Sequence, residues 1–193
     1  MKKSQNLHHM RLKASAKENE MKQFEFIQLA KDVANCRICE HLTTLPHAKN
    51  TEYLETDDPG LNTAHPYINR WNLWHGNLDA DIMVIGQDYG VKENGDPFIV
   101  CDYKNTTNPT DIQLKELFLE AFEIDIDSPD TSLFFTNMAN CYRKQRTSGG
   151  KHSAWLPICA NKFMSRLIRI IRPKIIIVLG NNCRSEQKQQ IEK

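Results

Sequence analysis

The sequence lacks a long hydrophobic run, a strong charge of either sign, internal repeats and low-complexity stretches. No apolar segment approaches the roughly 20 residues that a helix needs to cross a bilayer. The amino terminus, Met1 to Asn6, carries basic residues with no apolar stretch behind them, which argues against a secretory signal. We therefore expect no membrane association and a cytoplasmic location.

The near-balance of charge excludes a chain whose whole surface attracts polyanions. Lysine and arginine number 25 against 24 acidic residues, which gives a net charge of +1. Any nucleic-acid surface must therefore be a local patch. At 193 residues, 40% of them hydrophobic, the chain suits one globular domain with a full core. We predict that domain over residues 20–183, with a polar, frayed segment at 1–19 and a polar tail at 184–193.

Six cysteines in a reducing compartment are more typical of metal ligands or free thiols than of disulfides. Cys36 and Cys39 form a Cys-x-x-Cys pair, and Cys141 and Cys159 follow far downstream. Four thiolates can hold zinc or an iron–sulfur cluster, and the wide spacing of the second pair favours the cluster over a zinc ribbon. Two alternatives stay open, namely thiol redox chemistry at the first pair and simple burial of the second. Cys101 and Cys183 are interpreted as free thiols.

Three short apolar runs predict strands at Ile82–Ile85, Leu133–Thr136 and Ile175–Leu179. The third is continuous and β-branched, as expected of a strand covered on both faces. Helical stripes separate the runs, and a further helix is predicted from about Glu20 to Asn35. Alternating strands and helices indicate an α/β fold with a parallel sheet. Residues 41–77 show no regular hydrophobic periodicity, which predicts a long ordered loop with short helical pieces.

The first predicted strand runs into Gly86-Gln-Asp-Tyr-Gly90, a tight loop at the carboxyl end of the sheet. Ligand sites of open α/β sheets lie at this edge. The two glycines permit a close approach to the backbone, and Asp88 places a carboxylate between them. The loop lacks the Walker lysine and the dinucleotide fingerprint, so it is not a phosphate cradle. On sequence alone a loop aspartate is more often a turn former than a catalyst.

Two further residues are candidates for the same crevice. Phe98 ends a Gly-Asp-Pro-Phe turn and suits either the core or stacking on a flat ring. Asn137 follows the second predicted strand, and its amide has one donor and one acceptor face, matching a pyrimidine edge. The alternative for Asn137 is an amide that satisfies nearby backbone groups.

A basic run downstream of the second strand is a candidate for phosphate contacts, although such runs are often only solvated surface. Its cationic residues are Arg143, Lys144, Arg146 and Lys151.

In their order along the chain, these motifs resemble the uracil-DNA glycosylase superfamily, chiefly its iron–sulfur branch. The resemblance covers roughly residues 30 to 180. The matching segments are Cys36-Arg-Ile-Cys-Glu-His-Leu42, Ile82-Met-Val-Ile-Gly-Gln-Asp-Tyr-Gly90, Gly95-Asp-Pro-Phe98, Phe135-Thr-Asn-Met-Ala-Asn-Cys-Tyr-Arg143, Cys159 and Arg172-Pro-Lys-Ile-Ile-Ile-Val-Leu-Gly180.

The resemblance implies a three-layer sandwich around a parallel sheet and a monofunctional glycosylase that removes uracil from DNA. It implies that Asp88 stabilises the sugar cation and orients water, within a substrate-binding loop that includes Gly86, Gln87 and Tyr89. Phe98 would stack on the flipped base, and Asn137 would read its edge. A four-iron, four-sulfur cluster would be held by Cys36, Cys39, Cys141 and Cys159, and the protein would act as a monomer.

Two departures from the family pattern qualify this expectation. The iron–sulfur branch usually has Gly-Glu-x-Pro-Gly where this chain has the segment 86–90, so the chain is a divergent member. The family's second catalytic motif, a His-Pro loop after a fourth strand, has no counterpart. His65-Pro66 precedes the first strand and cannot replace it by position. We therefore expect a fold without its final strand and impaired activity.

Two alternatives to a repair enzyme follow from the same residues. One is a non-catalytic, metal-containing nucleic-acid-binding derivative of the fold. The other drops the resemblance and leaves a cytosolic zinc protein with a small α/β domain. Base preference, strand preference and the identity of the metal do not follow from the sequence.

Overall fold

The computed structural model describes residues 2–36, 38, 68–87, 107–128, 130–140 and 155–180. The helices in these ranges are α1 (Lys2–Ala34), α2 (Arg70–Trp74), α3 (Pro109–Phe122), α4 (Trp155–Cys159) and α5 (Ser165–Ile171), with a π-helical turn, Ala160–Met164, between α4 and α5. The strands are β1 (Ile82–Gly86), β2 (Leu133–Asn137) and β3 (Ile175–Val178).

The three strands form one parallel sheet in the order β2-β1-β3. The register places Ile82 beside Leu133 on one side and beside Ile175 on the other. At the carboxyl end of β1, Gly86 pairs with Asn137. An α/β fold with a parallel sheet, as the three apolar runs predicted, is confirmed for the described residues.

The two faces of the sheet pack into separate hydrophobic clusters because successive strand side chains point to opposite sides. Met83 and Ile85 of β1 belong to a cluster that includes residues of α1, the π-helical turn and α5. Val84 belongs to the second cluster, together with Leu114 and Phe118 of α3. Helices therefore contribute to the burial of both faces of β1.

Helix α1 is anchored by three apolar residues near its carboxyl end. Phe26, Leu29 and Val33 are buried, at the three- and four-residue spacing of one helix face. The helix begins at Lys2, well before the start near Glu20 that its periodicity predicted. Fraying of residues 1–19 and the division into segments stay predictions. In the described residues, no helix combines the length and apolar character required to cross a membrane.

Strand β3 is less covered than its apolar sequence predicted. Ile175 is 48% exposed, and the other three residues of the strand are half-buried. Within the described residues β3 pairs only with β1 and so forms an edge of the sheet. Ile176 and Val178 pack against one hydrophobic cluster and Ile177 against the other, so both faces of the strand are covered, but only in part.

The helix ends follow local sequence signals. Asn108 caps α3 by accepting a hydrogen bond from the N–H of Thr110, and Pro109 occupies the first turn. Glu123 ends α3 in the left-handed conformation, with φ of 56°. Arg172 ends α5 in the same way, directly before Pro173. These boundaries confirm that helices lie between the strands, as predicted, although Leu117 and Phe122 of the first predicted stripe are exposed.

Candidate functional site

The carboxyl ends of β1 and β2 lie side by side and continue their pairing beyond the strands. The carbonyl of Gly86 accepts a hydrogen bond from the N–H of Met138 at 2.8 Å. The carbonyl of Gln87 accepts one from the N–H of Ala139 at 3.0 Å. These bonds hold the start of the loop after β1 against the residues that follow Asn137. The structure thus brings together three residues predicted for the substrate site: Gly86, Gln87 and Asn137.

Asn137 carries a buried acceptor that no described residue satisfies. The residue is 5% exposed, and its side-chain Oδ1 is buried without a hydrogen-bond partner. An unsatisfied buried polar atom is uncommon in native proteins, because burial removes its bonds to water without replacing them. The side-chain carbonyl of Asn137 is therefore a buried acceptor whose hydrogen-bonding capacity the described fold does not use.

Gly86 provides the space that this amide occupies. A Cβ at position 86 would lie 2.7 Å from Oδ1 of Asn137 and 2.7 Å from the ring of Trp71. Side-chain carbons do not come so close to other heavy atoms, so any larger residue would displace the amide or the indole. The glycine predicted from the loop sequence is thus required by a close approach of two side chains.

The indole ring of Trp71 lies beside Gly86, and contacts at the other end of the ring hold it in place. Its Nε1 donates a hydrogen bond to Oδ1 of Asp111 at 2.9 Å. Asp111 is 1% exposed and lies in the first turn of α3. The ring also meets Phe135 edge-on, with centroids 5.8 Å apart. These contacts fix the indole, and sequence reasoning assigned no role to either Trp71 or Asp111.

The other buried amides at this end of β2 are satisfied, unlike Asn137. Asn69 donates to Oγ1 of Thr136 at 3.0 Å and to Oδ1 of Asn140 at 3.5 Å. Asn72 donates to the carbonyl of Phe135 and accepts from the N–H of Asn69 at 3.2 Å. Asn69 and Asn72 together form the capping box of α2. The Asn-x-x-Asn spacing before Trp74 was the sequence signal that could have identified this helix start.

His75 is a second buried residue with an unsatisfied atom. It is 7% exposed, and its Nε2 has no partner among the described residues. Burial lowers the pKa of His75 from 6.5 to about 4, against a smaller raising effect of Asp127, while Lys115 lowers it further. His75 is therefore neutral at pH 7. Its ring packs against those of Trp74 and Phe135, each with centroids 4.6 Å away. No sequence pattern singled it out.

Two of the four predicted cysteine ligands lie in the described part of the chain. Cys36 is half-buried just after α1, and Cys159 is 4% exposed at the end of α4; neither forms a disulfide. Nζ of Lys162 donates to Sγ of Cys36 at 3.6 Å. Lys162 lies in the π-helical turn that begins directly after Cys159. The segment that carries Cys159 therefore also contacts Cys36.

The remaining predicted site residues lie outside the described ranges. They are Asp88, Tyr89, Phe98, Cys39, Cys141, Arg143, Lys144, Arg146 and Lys151. Among the residues that the structure does describe, no group of three or more His, Cys, Asp or Glu side chains could hold a metal ion.

Comparison with known proteins assigns no family to this chain, so the functional inference depends on the geometry of the site and on its motifs. Neither the protein-family models, nor the curated proteins, nor the solved structures give a match to this chain.

Proposed function

We propose that this protein is a DNA-repair glycosylase of the uracil-DNA glycosylase superfamily, which hydrolyses the N-glycosidic bond of a flipped uracil. The observation that carries the proposal is the unsatisfied Oδ1 of Asn137, buried beside Gly86 at the carboxyl end of two parallel strands. The order of motifs along the chain supports it, because Asn137 and Gly86 are residues that the resemblance assigns to one uracil pocket.

Asn137 is the proposed reader of the base. The N3–H of uracil is a donor that would satisfy Oδ1, and the amide nitrogen would donate to the neighbouring uracil carbonyl. Cytosine lacks the N3–H and carries an amino group in place of that carbonyl, so it would leave the buried acceptor unpaired. A site built around a specific hydrogen bond rejects an analogue that lacks the matching group. Selection of uracil over cytosine follows from this arrangement.

The chemistry is assigned to Asp88 and the stacking to Phe98, by resemblance. Extrusion of the base gives the enzyme access to the glycosidic bond. As that bond breaks, the sugar gains positive charge, which the carboxylate of Asp88 would stabilise while it orients the attacking water. Phe98 would hold the ring from one face. The products are free uracil and an abasic site in the DNA strand.

DNA is the proposed partner, and the protein is proposed to act as a cytoplasmic monomer. The basic run would contact phosphates through Arg143, Lys144, Arg146 and Lys151. The full architecture is proposed to be the three-layer sandwich of the superfamily. The packing of α1 and α5 in one cluster and of α3 in the other supports this architecture.

Four thiolates are the proposed ligands of a four-iron, four-sulfur cluster, with zinc as the alternative metal. Cys36, Cys39, Cys141 and Cys159 would hold it, and their donor type fits either choice. The group would serve as a structural link between the end of α1 and the segment that carries Cys159. The bond from Lys162 to Cys36 supports this assignment, since hydrogen bonds to ligand sulfurs are common at such centres.

The metal is tested by elemental analysis of the purified protein. We expect iron and acid-labile sulfide in equal amounts, with a brown absorbance, and loss of most of both in Cys159→Ser. Cys183→Ser and Cys101→Ser are matched controls, because those thiols have no proposed role, and they should retain the metal. Zinc without acid-labile sulfide would indicate a zinc site in place of the iron–sulfur cluster. A metal content unaffected by Cys159→Ser would contradict the ligand assignment.

The activity is tested by release of uracil from labelled single-stranded and duplex DNA under single-turnover conditions. We expect slow release by the wild-type chain, in line with the impaired activity that the departures from the family pattern imply, and none above background by Asp88→Ala. Release that survives Asp88→Ala would refute the role of Asp88. Tight DNA binding without any release by the wild type would instead favour a non-catalytic derivative of the fold.

A further inference from the structure

A groove between α1 and α5 contains none of the residues assigned to uracil chemistry. Its cavity volume is about 430 Å³. The lining residues combine one aromatic ring with three guanidinium groups, and they are Phe24, Glu25, Gln28, Arg166, Arg169, Ile170 and Arg172.

Arg166 and Arg169 are three residues apart on α5, which places them on neighbouring positions of one side of the helix, and Arg172 completes the row as the left-handed residue that ends the helix. Arg166 is held by Asp32 at 2.6 Å, and Arg172 by Glu18 at 3.0 Å. These two pairs tie the outer arginines to α1.

Arg169, in the middle of the row, is placed differently. Its described hydrogen bond runs from Nε to the backbone carbonyl of Ser165 at 3.3 Å. That bond orients the side chain, and within the described part of the chain neither terminal nitrogen of the guanidinium has a recorded partner, which leaves the fork for an external acceptor. A planar fork of this kind binds phosphate oxygens in pairs.

Phe24 supplies an exposed aromatic surface on the opposite wall. The residue is 62% exposed, although its neighbour Phe26 is buried in the core. An exposed ring beside arginines matches the grooves that bind single-stranded nucleic acids, where bases stack on aromatic side chains and cations follow the backbone. A free phosphate would use only the arginines, and an acidic peptide would have no base to stack on the ring.

We propose that this groove binds single-stranded nucleic acid, with Arg169 on a phosphate and Phe24 stacked on a base. Glu18, Glu25 and Asp32 offset the three arginines, so general attraction of polyanions contributes little here. Binding therefore depends on one fork and one ring, and one to two phosphate contacts are expected. The site does not depend on uracil excision and lies apart in sequence from the basic run at 143–151.

The test is fluorescence anisotropy of a labelled twelve-nucleotide oligothymidine, which contains no uracil, titrated with the full chain. We expect Phe24→Ala and Arg169→Gln each to weaken binding by about five- to tenfold, within the range measured for loss of one stacking contact. The groove's share of the salt dependence should correspond to a log–log slope of about −0.7 to −1.4, which Arg169→Gln reduces. Circular dichroism checks that each variant is folded.

Two matched controls separate this site from general effects. Leu119→Ala removes another exposed apolar side chain, 59% exposed on α3, and should leave affinity unchanged. Glu120→Gln, combined with Arg169→Gln, restores the net charge without restoring the fork, and affinity should stay low. Recovery of wild-type affinity in that double variant would overturn the proposal. Equal competition by thymidine monophosphate or by a poly-glutamate peptide, at matched charge concentration, would also overturn it.

Discussion

At the scale of single residues, the informative feature is an amide whose acceptor is buried without a partner. Asn137 lies in a strand whose other side chains are buried, and its Oδ1 is buried without a hydrogen-bond partner among the described residues. Residues that lower stability in this way are expected at sites selected for binding. The same atom therefore carries both the functional proposal and a prediction about stability.

Replacing Asn137 with leucine should raise stability rather than lower it. The change removes the unsatisfied acceptor and keeps a side chain of similar size, so we expect the free energy of unfolding to rise by about 1 kcal/mol. Asn140→Leu is the matched control, because Oδ1 of Asn140 accepts a hydrogen bond from Asn69. It should lower stability by about 1 kcal/mol, since a buried donor loses its partner. Urea unfolding of both variants measures the difference. Destabilisation by Asn137→Leu equal to that by Asn140→Leu would show that the Asn137 amide is satisfied in solution.

His75 should make stability depend on pH in a defined window. Its pKa is about 4 in the folded chain and 6.5 when unfolded, so the unfolded state binds the extra proton first. The stability that follows from a neutral, buried His75 is therefore fully present above pH 6.5. It is lost as the pH falls towards 4, because protonation favours the unfolded state. The two pKa values differ by an amount equivalent to roughly 3 kcal/mol. His75→Phe keeps a ring against Trp74 and removes the titration.

The check is urea unfolding of both proteins between pH 4 and 7.5. We expect the wild type to lose more stability than His75→Phe between pH 6.5 and 4. The comparison uses the difference between the two curves, because every other group is common to both proteins. Parallel curves would mean that His75 does not titrate with a lowered pKa.

At the scale of elements, α3 ends at a residue that is strained in its conformation. Glu123 has φ of 56°, and its N–H bonds to the carbonyls of Leu119 and Phe118. Glycine adopts this region without the clash of a Cβ. We expect Glu123→Gly to raise the free energy of unfolding by about 0.5–1 kcal/mol. Glu120→Gly, the same substitution inside the exposed helix, should lower it by about 1 kcal/mol. Thermal unfolding of the two variants compares them, and destabilisation by both would contradict the left-handed end.

Sequence patterns located the elements but not all of their environments. The runs at 82–85 and 133–136 predicted β1 and β2 to within one residue at their ends. Short runs of β-branched and aromatic residues between turn signals are typical of buried strands. The π-helical turn was missed, although the five-residue step from Ile158 to Phe163 is wider than an α-helical repeat. The exposure of β3 was missed because burial depends on neighbours that lie elsewhere in the sequence.

The candidate site could be predicted only where residues carry recognisable chemistry. Gly86 and Asn137 were identified as members of one crevice, because parallel strands end at the same edge of a sheet. Trp71 and Asp111 were not identified, since a tryptophan before the first strand and an aspartate in a helix have many ordinary roles. Their hydrogen bond joins positions forty residues apart, and only the fold reveals it.

At the scale of the whole molecule, α1 is fastened to the rest of the described chain by burial and by ion pairs. The burial of Phe26, Leu29 and Val33 contributes most, at about 1.5–3 kcal/mol for each side chain. The pairs Lys22–Asp79 and Arg166–Asp32 lie at or near the surface and contribute at most about 1 kcal/mol each. These ion pairs mainly orient α1, whose residue Phe24 lines the groove, relative to the elements that it contacts.

The assembled sheet edge gives the central claim its most direct test, which is the selectivity of base release. Single-turnover rates are measured on oligonucleotides that carry one uracil or one cytosine at the same position, with wild type, Asn137→Ala and Asn140→Ala. We predict that wild type releases uracil and not cytosine. Asn137→Ala should lower the uracil rate by about 100-fold, whereas Asn140→Ala should stay within about threefold. Equal rates for wild type and Asn137→Ala, or the absence of any uracil release by wild type, would contradict the account.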